Sequence, residues 1–299
     1  MLRRYVTVDV FTRRIFGGNP LAVVLDAQGL SGAQMQSVAT EFNYAETTFV
    51  LPPRDPSRTA HVRIFTPRTE LPFAGHPNVG TAVVVAHEIE REGALASDQL
   101  LFEEGAGLVS LRLVREGTAV VGAEFTAPQS LSAGSKVSAE AAAACLSLAP
   151  DDIGLHVHMP QVLSVGLPFL VAEVRSREVL KRCRPSLPAH ERVLPPIGTD
   201  SVFAYARGAD AGALSARMFS PIDAIPEDPA TGSAAAATIA FLAAEGGQLD
   251  ADSVWRIEQG ADMGRPSLLL GRTEKRGGMV RAVHIGGDAV PVMRGTFDL

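Results

Sequence analysis

Four side chains in this sequence, Glu46, His76, Asp228 and Ser233, have the chemical type and the setting that proton transfer needs. Glu46 lies in FNYAETTFV, between a helical stretch and an apolar strand. A carboxylate in that setting is expected to be partly buried, which raises its pKa toward the acid–base range. The plainer reading is a helix-end carboxylate in open solvent. His76 sits in the turn Ala74-Gly75-His76-Pro77, where the N–H groups of a starting helix favour a neutral, shuttling imidazole. A satisfied core or capping histidine is the alternative. Asp228 lies in PEDPATGS, where Asp before Pro also serves as plain turn chemistry. Glu227 reads as its solvated neighbour.

Two glycine turns stand beside these residues. Gly75 and Gly232 each open an apolar run of helical length. A helix amino terminus presents unpaired N–H groups and partial positive charge, so it can hold an anion. Pro77 is tolerated in a first turn, where its missing N–H costs nothing. Gly75, Gly232 and Ser233 would therefore hold a substrate carboxylate without an arginine. Ordinary helix capping, with Ser233 as the cap, is the competing explanation.

The elements that carry these turns recur in order. VRIFTP at 62–67 is matched by ARMFSP at 216–221, and each follows a short strand, TTFVL or SVFAY. Phe49 precedes Phe65 by 16 residues, and Phe203 precedes Phe219 by 16. PFAGHPNVGTAVVVAHEI then answers to PATGSAAAATIAFLAAEG, and FEEGAGLVSLRL to IEQGADMGRPSLLL, each of the latter with an acidic residue two before a glycine. Four echoes in one order argue for two copies of one folding unit. The first copy is placed at 1–122 and the second at 123–283, joined through VGAEFTAPQSLSAGSK. The tail 284–299 reads as a final strand returning to the first copy. By this alignment Asp200 is the counterpart of Glu46 and a candidate second carboxylate.

Strands are expected at Tyr5–Phe11, Ala22–Leu25, Thr47–Leu51, Val62–Phe65 and Leu108–Val114 from their β-branched content and bounding turns. A helix is expected at Gly32–Phe42, capped by Ser31. The helices after Gly75 and Gly232 are apolar nearly all round and so should be buried. The fold class is α+β: two halves, each a curved, mostly antiparallel sheet around one buried helix.

Composition narrows the partners. The chain has 299 residues, 46% hydrophobic and 20% charged, with net charge -6 and no basic run, which argues against nucleic acid. No apolar run reaches a membrane span, and the first residues lack a signal peptide's apolar core, so a cytoplasmic protein off the membrane is expected. Cys145 and Cys183 form no CxxC and lie outside both glycine turns. There is no P-loop, HExxH, GxSxG or full GxGxxG. His156 and His158 alternate on an expected strand, a weak zinc signal without a third ligand, and no metal is assigned.

The stretches DVFTRRIFGGNPLAVVLD, EFNYAETTFVLPP, VRIFTPRTELPFAGHPNVGTA and EDPATGSAAAA together resemble the phenazine biosynthesis PhzF-like family, of the diaminopimelate epimerase-like superfamily. The resemblance implies two similar halves with the active site between them, and a homodimeric isomerase that needs no cofactor. It places the catalytic glutamate at Glu46 and further site residues at Gly75, His76, Asp228 and Ser233. The founding activity isomerises trans-2,3-dihydro-3-hydroxyanthranilate, a small unsaturated carboxylic acid. Epimerase relatives carry a cysteine in each glycine turn. Here Ala74 and Thr231 stand in those turns, which favours the PhzF-like branch. Tyr44 and the segment 123–213 depart from the family pattern. An amino-acid racemase or epimerase, and a non-catalytic small-acid binding protein, are the competing functions.

Overall fold

The computed structural model of the chain describes residues 1–93 and 97–299. It divides into two compact units, Met1–Thr126 with Gly286–Leu299, and Ala127–Ile285.

The first unit runs β1 (Leu2–Val10), β2 (Asn19–Val24), α1 (Gly32–Phe42), β3 (Glu46–Leu51), β4 (Ala60–Phe65), β5 (Glu70–Leu71), α2 (Gly75–Glu92), β6 (Gln99–Glu104), β7 (Gly107–Glu116) and β8 (Ala119–Thr126). Strand alternation sets its inner face. Val109, Leu111 and Leu113 of β7 are buried while Leu108, Ser110 and Arg112 are exposed, the period-2 pattern of a half-buried strand. β1–β2, β3–β4, β6–β7 and β7–β8 are antiparallel, whereas β2–β3 and β4–β6 are parallel. The last strand, from residue 286 onward, pairs with β1 and β8 and so closes the sheet on itself.

The helix α2 lies inside this curved sheet, against β1, β2, β3, β7 and β8. Val79, Ala82, Val83, Val84 and Ala86 are buried, and each fully buried valine contributes on the order of 1.5–3 kcal/mol. Gly80 permits the close approach. A Cβ there would stand 2.7 Å from both Leu21 Cδ2 and Val10 Cγ2. Outside the sheet, α1 begins with the expected Ser31 cap, reinforced by Gln34 as a capping box, and ends on Asn43 in the left-handed conformation at φ 53°.

The second unit runs β9 (Ser132–Lys136), α3 (Ala139–Leu146), β10 (Gln161–Ser164), β11 (Pro168–Glu173), α4 (Arg177–Arg182), α5 (Leu187–Val193), β12 (Val202–Arg207), β13 (Ala213–Ser220), β14 (Ile225–Asp228), α6 (Gly232–Glu245), β15 (Ala251–Gln259) and β16 (Ser267–Arg276). The final strand, β17 (Met279–Asp298), starts here and ends in the first unit. Its pairings repeat those of the first unit. β10–β11 is antiparallel, β11–β12 parallel, β12–β13 antiparallel, β13–β15 parallel and β15–β16 antiparallel. Every residue of α6 from Gly232 to Leu242 is buried. The carbonyls at its far end are satisfied by Lys275, whose ammonium donates to Ala243, Ala244 and Gly246.

Two local expectations fail. The stretch VGAEFT, read as a connecting segment, is the second half of β8, because Val120, Ala123 and Phe125 bury against the first core and hold it extended. His156 and His158 lie in an irregular loop and not on a strand. His158 is buried, with Nε2 2.9 Å from the Tyr205 hydroxyl, while His156 is exposed. No helix among the described residues is long and apolar enough to cross a membrane.

Candidate active site

In the first unit, sheet register gathers three of the polar groups. The parallel pairing of β2 with β3 sets Leu21 beside Glu46, so the starts of these strands, Asn19 and Glu46, share one end of the sheet. The start of α2 is at the same end. Glu46 Oε2 lies 3.4 Å from His76 Nδ1, and Asn19 Nδ2 lies 3.3 Å from the same nitrogen. The His76 side chain is 5% exposed and that of Glu46 is 14% exposed. Burial lowers the His76 pKa to about 3, opposed by the Pro20 carbonyl, so the imidazole is neutral across the physiological range. Its Nε2 is buried with no hydrogen-bond partner among the described residues. A buried polar atom left in that state is costly, and a water or a bound ligand can complete its bonding.

In the second unit, Asp228 ends β14 and is buried. The Thr231 hydroxyl donates to Asp228 Oδ2. Gln259, at the end of β15, locks the turn that leads into α6. Its Oε1 accepts from Thr231 N at 3.1 Å, and its Nε2 donates to the Asp228 carbonyl at 2.8 Å and to Thr231 Oγ1 at 3.1 Å. Ser233 is buried in the first turn of α6 and is not its cap. That place belongs to Thr231, whose hydroxyl is turned to Asp228. Ala74 opens α2 equally without a side-chain cap. Capping therefore does not account for either glycine turn, and both helix starts keep the polarity that suits an anion.

Several residues fall elsewhere. Glu227 is no solvated neighbour. It forms a two-pronged ion pair, both contacts 2.7 Å, with the buried Arg217, which also donates to the Leu180, Lys181 and Cys183 carbonyls. Asp200 accepts from the Ser201 hydroxyl, whose oxygen also lies 2.9 Å from that of Ser220, a polar knot within the second unit. Cys145 and Cys183 are buried, and burial pushes both thiols up to about 11, so neither is a ready nucleophile. Sequence reasoning passed over Asn19 and Gln259. Asn19 stands in FGGNP with no acid–base character of its own. For Gln259, the signal lay in the FEEG and IEQG echo, where the residue directly before the glycine, not the acidic one before that, meets the turn.

Residues 8–295 match the family model described as phenazine biosynthesis-like protein. An isomerise-class relative from Mesorhizobium japonicum, described only as an uncharacterized isomerase, is 38% identical over 98% of both chains. The trans-2,3-dihydro-3-hydroxyanthranilate isomerase of Pseudomonas chlororaphis is 35% identical over the full length of both. Among solved structures, a phenazine biosynthesis protein of the PhzF family from Bacillus anthracis superposes with a TM-score of 0.86 over all of both chains at 24% identity, a likeness of fold.

Proposed function

Because the chain belongs to the phenazine biosynthesis-like family and is an isomerase, we propose that it moves a proton within a small unsaturated carboxylic acid of the trans-2,3-dihydro-3-hydroxyanthranilate kind. The Glu46 carboxylate takes a proton from a carbon made acidic by conjugation. The C–H electron pair enters the conjugated system, and the protonated Glu46 returns the proton to a different carbon. Substrate and product are isomers, so the step balances without an oxidant or reductant. In the first unit His76 hydrogen-bonds the shifting charge and the helix start at Gly75 suits the acid group, and in the second unit Asp228, with Gly232 and Ser233 at the helix start, offers the same two kinds of group.

The contact between Glu46 and a neutral, buried His76, whose far nitrogen has no partner among the described residues, carries this reading. A neutral imidazole can stabilise developing negative charge without quenching the base, which imidazolium would do by pairing with it. Positioned proton transfer supplies about 10²–10⁴-fold, and preorganised dipoles in a dry site supply further acceleration.

Glu46→Gln tests it. The amide keeps the shape and cannot take a proton, so kcat should fall by about 10²–10⁴-fold while substrate Kd stays within about threefold. Solvent-deuterium incorporation into the substrate should vanish in parallel. Normal turnover with weakened binding would overturn the assignment. Inversion of one centre without double-bond movement would instead identify an epimerase. Failure of every small unsaturated acid to exchange C–H protons with the wild-type protein would leave only a binding role.

A further inference from the structure

We propose that Glu104 is a positioning residue for the first glycine turn, a neutral carboxyl that does there what the amide of Gln259 does for the second. The proposal deepens the isomerase reading and rests on it.

The two positions correspond residue by residue. On β6 the inward row is Leu100, Phe102 and Glu104, and on β15 it is Trp255, Ile257 and Gln259. Each row ends at a glycine pressed on the proline that leads into the buried helix. A Cβ on Gly105 would stand 2.9 Å from Pro72 Cα, and one on Gly260 would stand 2.6 Å from the Pro229 carbonyl oxygen. Backbone bonding ties the first of these contacts further, since Ala106 N donates to the Pro72 carbonyl at 2.8 Å.

Both side chains then reach the start of the helix. Gln259 uses an acceptor and a donor together, as described above. Glu104 Oε2 accepts from Asn78 Nδ2 at 3.3 Å, and the same amide donates to the Ala74 carbonyl at 3.0 Å, so the carboxyl is linked to the residue preceding Gly75 and His76. Glu104 Oε1 and Asn78 Oδ1 are buried without partners among the described residues. A carboxylate offers acceptors only. A carboxylic acid offers an acceptor and one O–H donor, and so combines the two kinds of group that the glutamine amide combines, with one donor fewer.

The surroundings favour the acid. Elements packed on Glu104 carry His76 on α2, His61 and Arg63 on β4, and Arg112 and Arg115 on β7. Arg63 pairs with Glu70, Arg112 with Glu124, and Arg115 with Asp98 and Glu90. Burial pushes the Glu104 carboxyl up to about 8 against the Asn78 hydrogen bond, and among the described residues no charged group offsets this. Ionisation would remove the donor and place an uncompensated charge beneath the turn that carries His76.

The test is a pH profile of Glu104→Gln beside wild type. Wild-type kcat/KM should fall above pH about 8, by about tenfold per pH unit, while E104Q keeps its activity at pH 7 and shows no such fall. An alkaline limb unchanged in E104Q overturns the proposal. The E46Q control separates the two claims: E46Q inactive with an unaltered E104Q profile sinks only the role of Glu104, whereas an active E46Q sinks the isomerase assignment. A second measurement needs no variant. Infrared difference spectra of the wild-type protein should show a protonated carboxyl at pH 7 that disappears above pH about 8, and its absence at pH 7 would overturn the proposal even if E104Q did not fold.

Discussion

At the scale of single residues, His76 makes the molecule acid-sensitive in a calculable direction. Its folded pKa of about 3 lies below the ordinary 6.5, so the unfolded chain binds the proton first. Stability is then fully present above pH 6.5 and is lost as pH falls from 6.5 toward 3. Glu104 works oppositely: its carboxyl is raised from 4.5 to about 8, so stability declines as pH climbs through that interval. His76→Gln should flatten the acid-side loss of thermal midpoint, and Glu104→Gln should raise the midpoint increasingly between pH 5 and 8. Calorimetry from pH about 3 to about 8 checks both. The thiols give a simpler test. With Cys145 and Cys183 buried and unreactive, alkylating reagents should leave the native protein unlabelled by mass spectrometry and fully active.

Helices and strands set how tightly these residues are held. Gly80 lets α2 seat directly on β1 and β2, and a methyl group there would press on Val10 and Leu21. Gly80→Ala is expected to destabilise by about 1–3 kcal/mol despite alanine's better helix propensity, as read by denaturant midpoints. At this scale most of the fold was legible in the sequence. Gly32–Phe42, its Ser31 cap and the burial of both glycine-started helices followed from spacing and apolar runs alone. Less legible was anything decided by long-range register. Nothing local in FGGNP says that parallel pairing of β2 with β3 will carry Asn19 to His76, or that Glu227 will find Arg217. Composition misled at VGAEFT, whose small residues suit a turn in isolation and a close-packed strand in context. Gly122 is needed there because a Cβ would stand 2.3 Å from the Gly287 carbonyl oxygen.

Across the whole molecule, one pairing scheme used twice has diverged at the points where chemistry is concentrated. His76 answers to Ser233 and Glu104 to Gln259, while the structural glycines and prolines beside them are retained in both copies. The first unit is also discontinuous along the chain. Its sheet closes only when residues 289–298 pair with β1, nearly the full length of the polypeptide away. The amino-terminal strands therefore keep an open edge until that distant strand is available, whereas residues 127–285 are contiguous in the chain. A product stopped after Ile285 should keep a compact, protease-resistant core spanning 127–285 and lose that of the first unit, which limited proteolysis with peptide mapping would read directly.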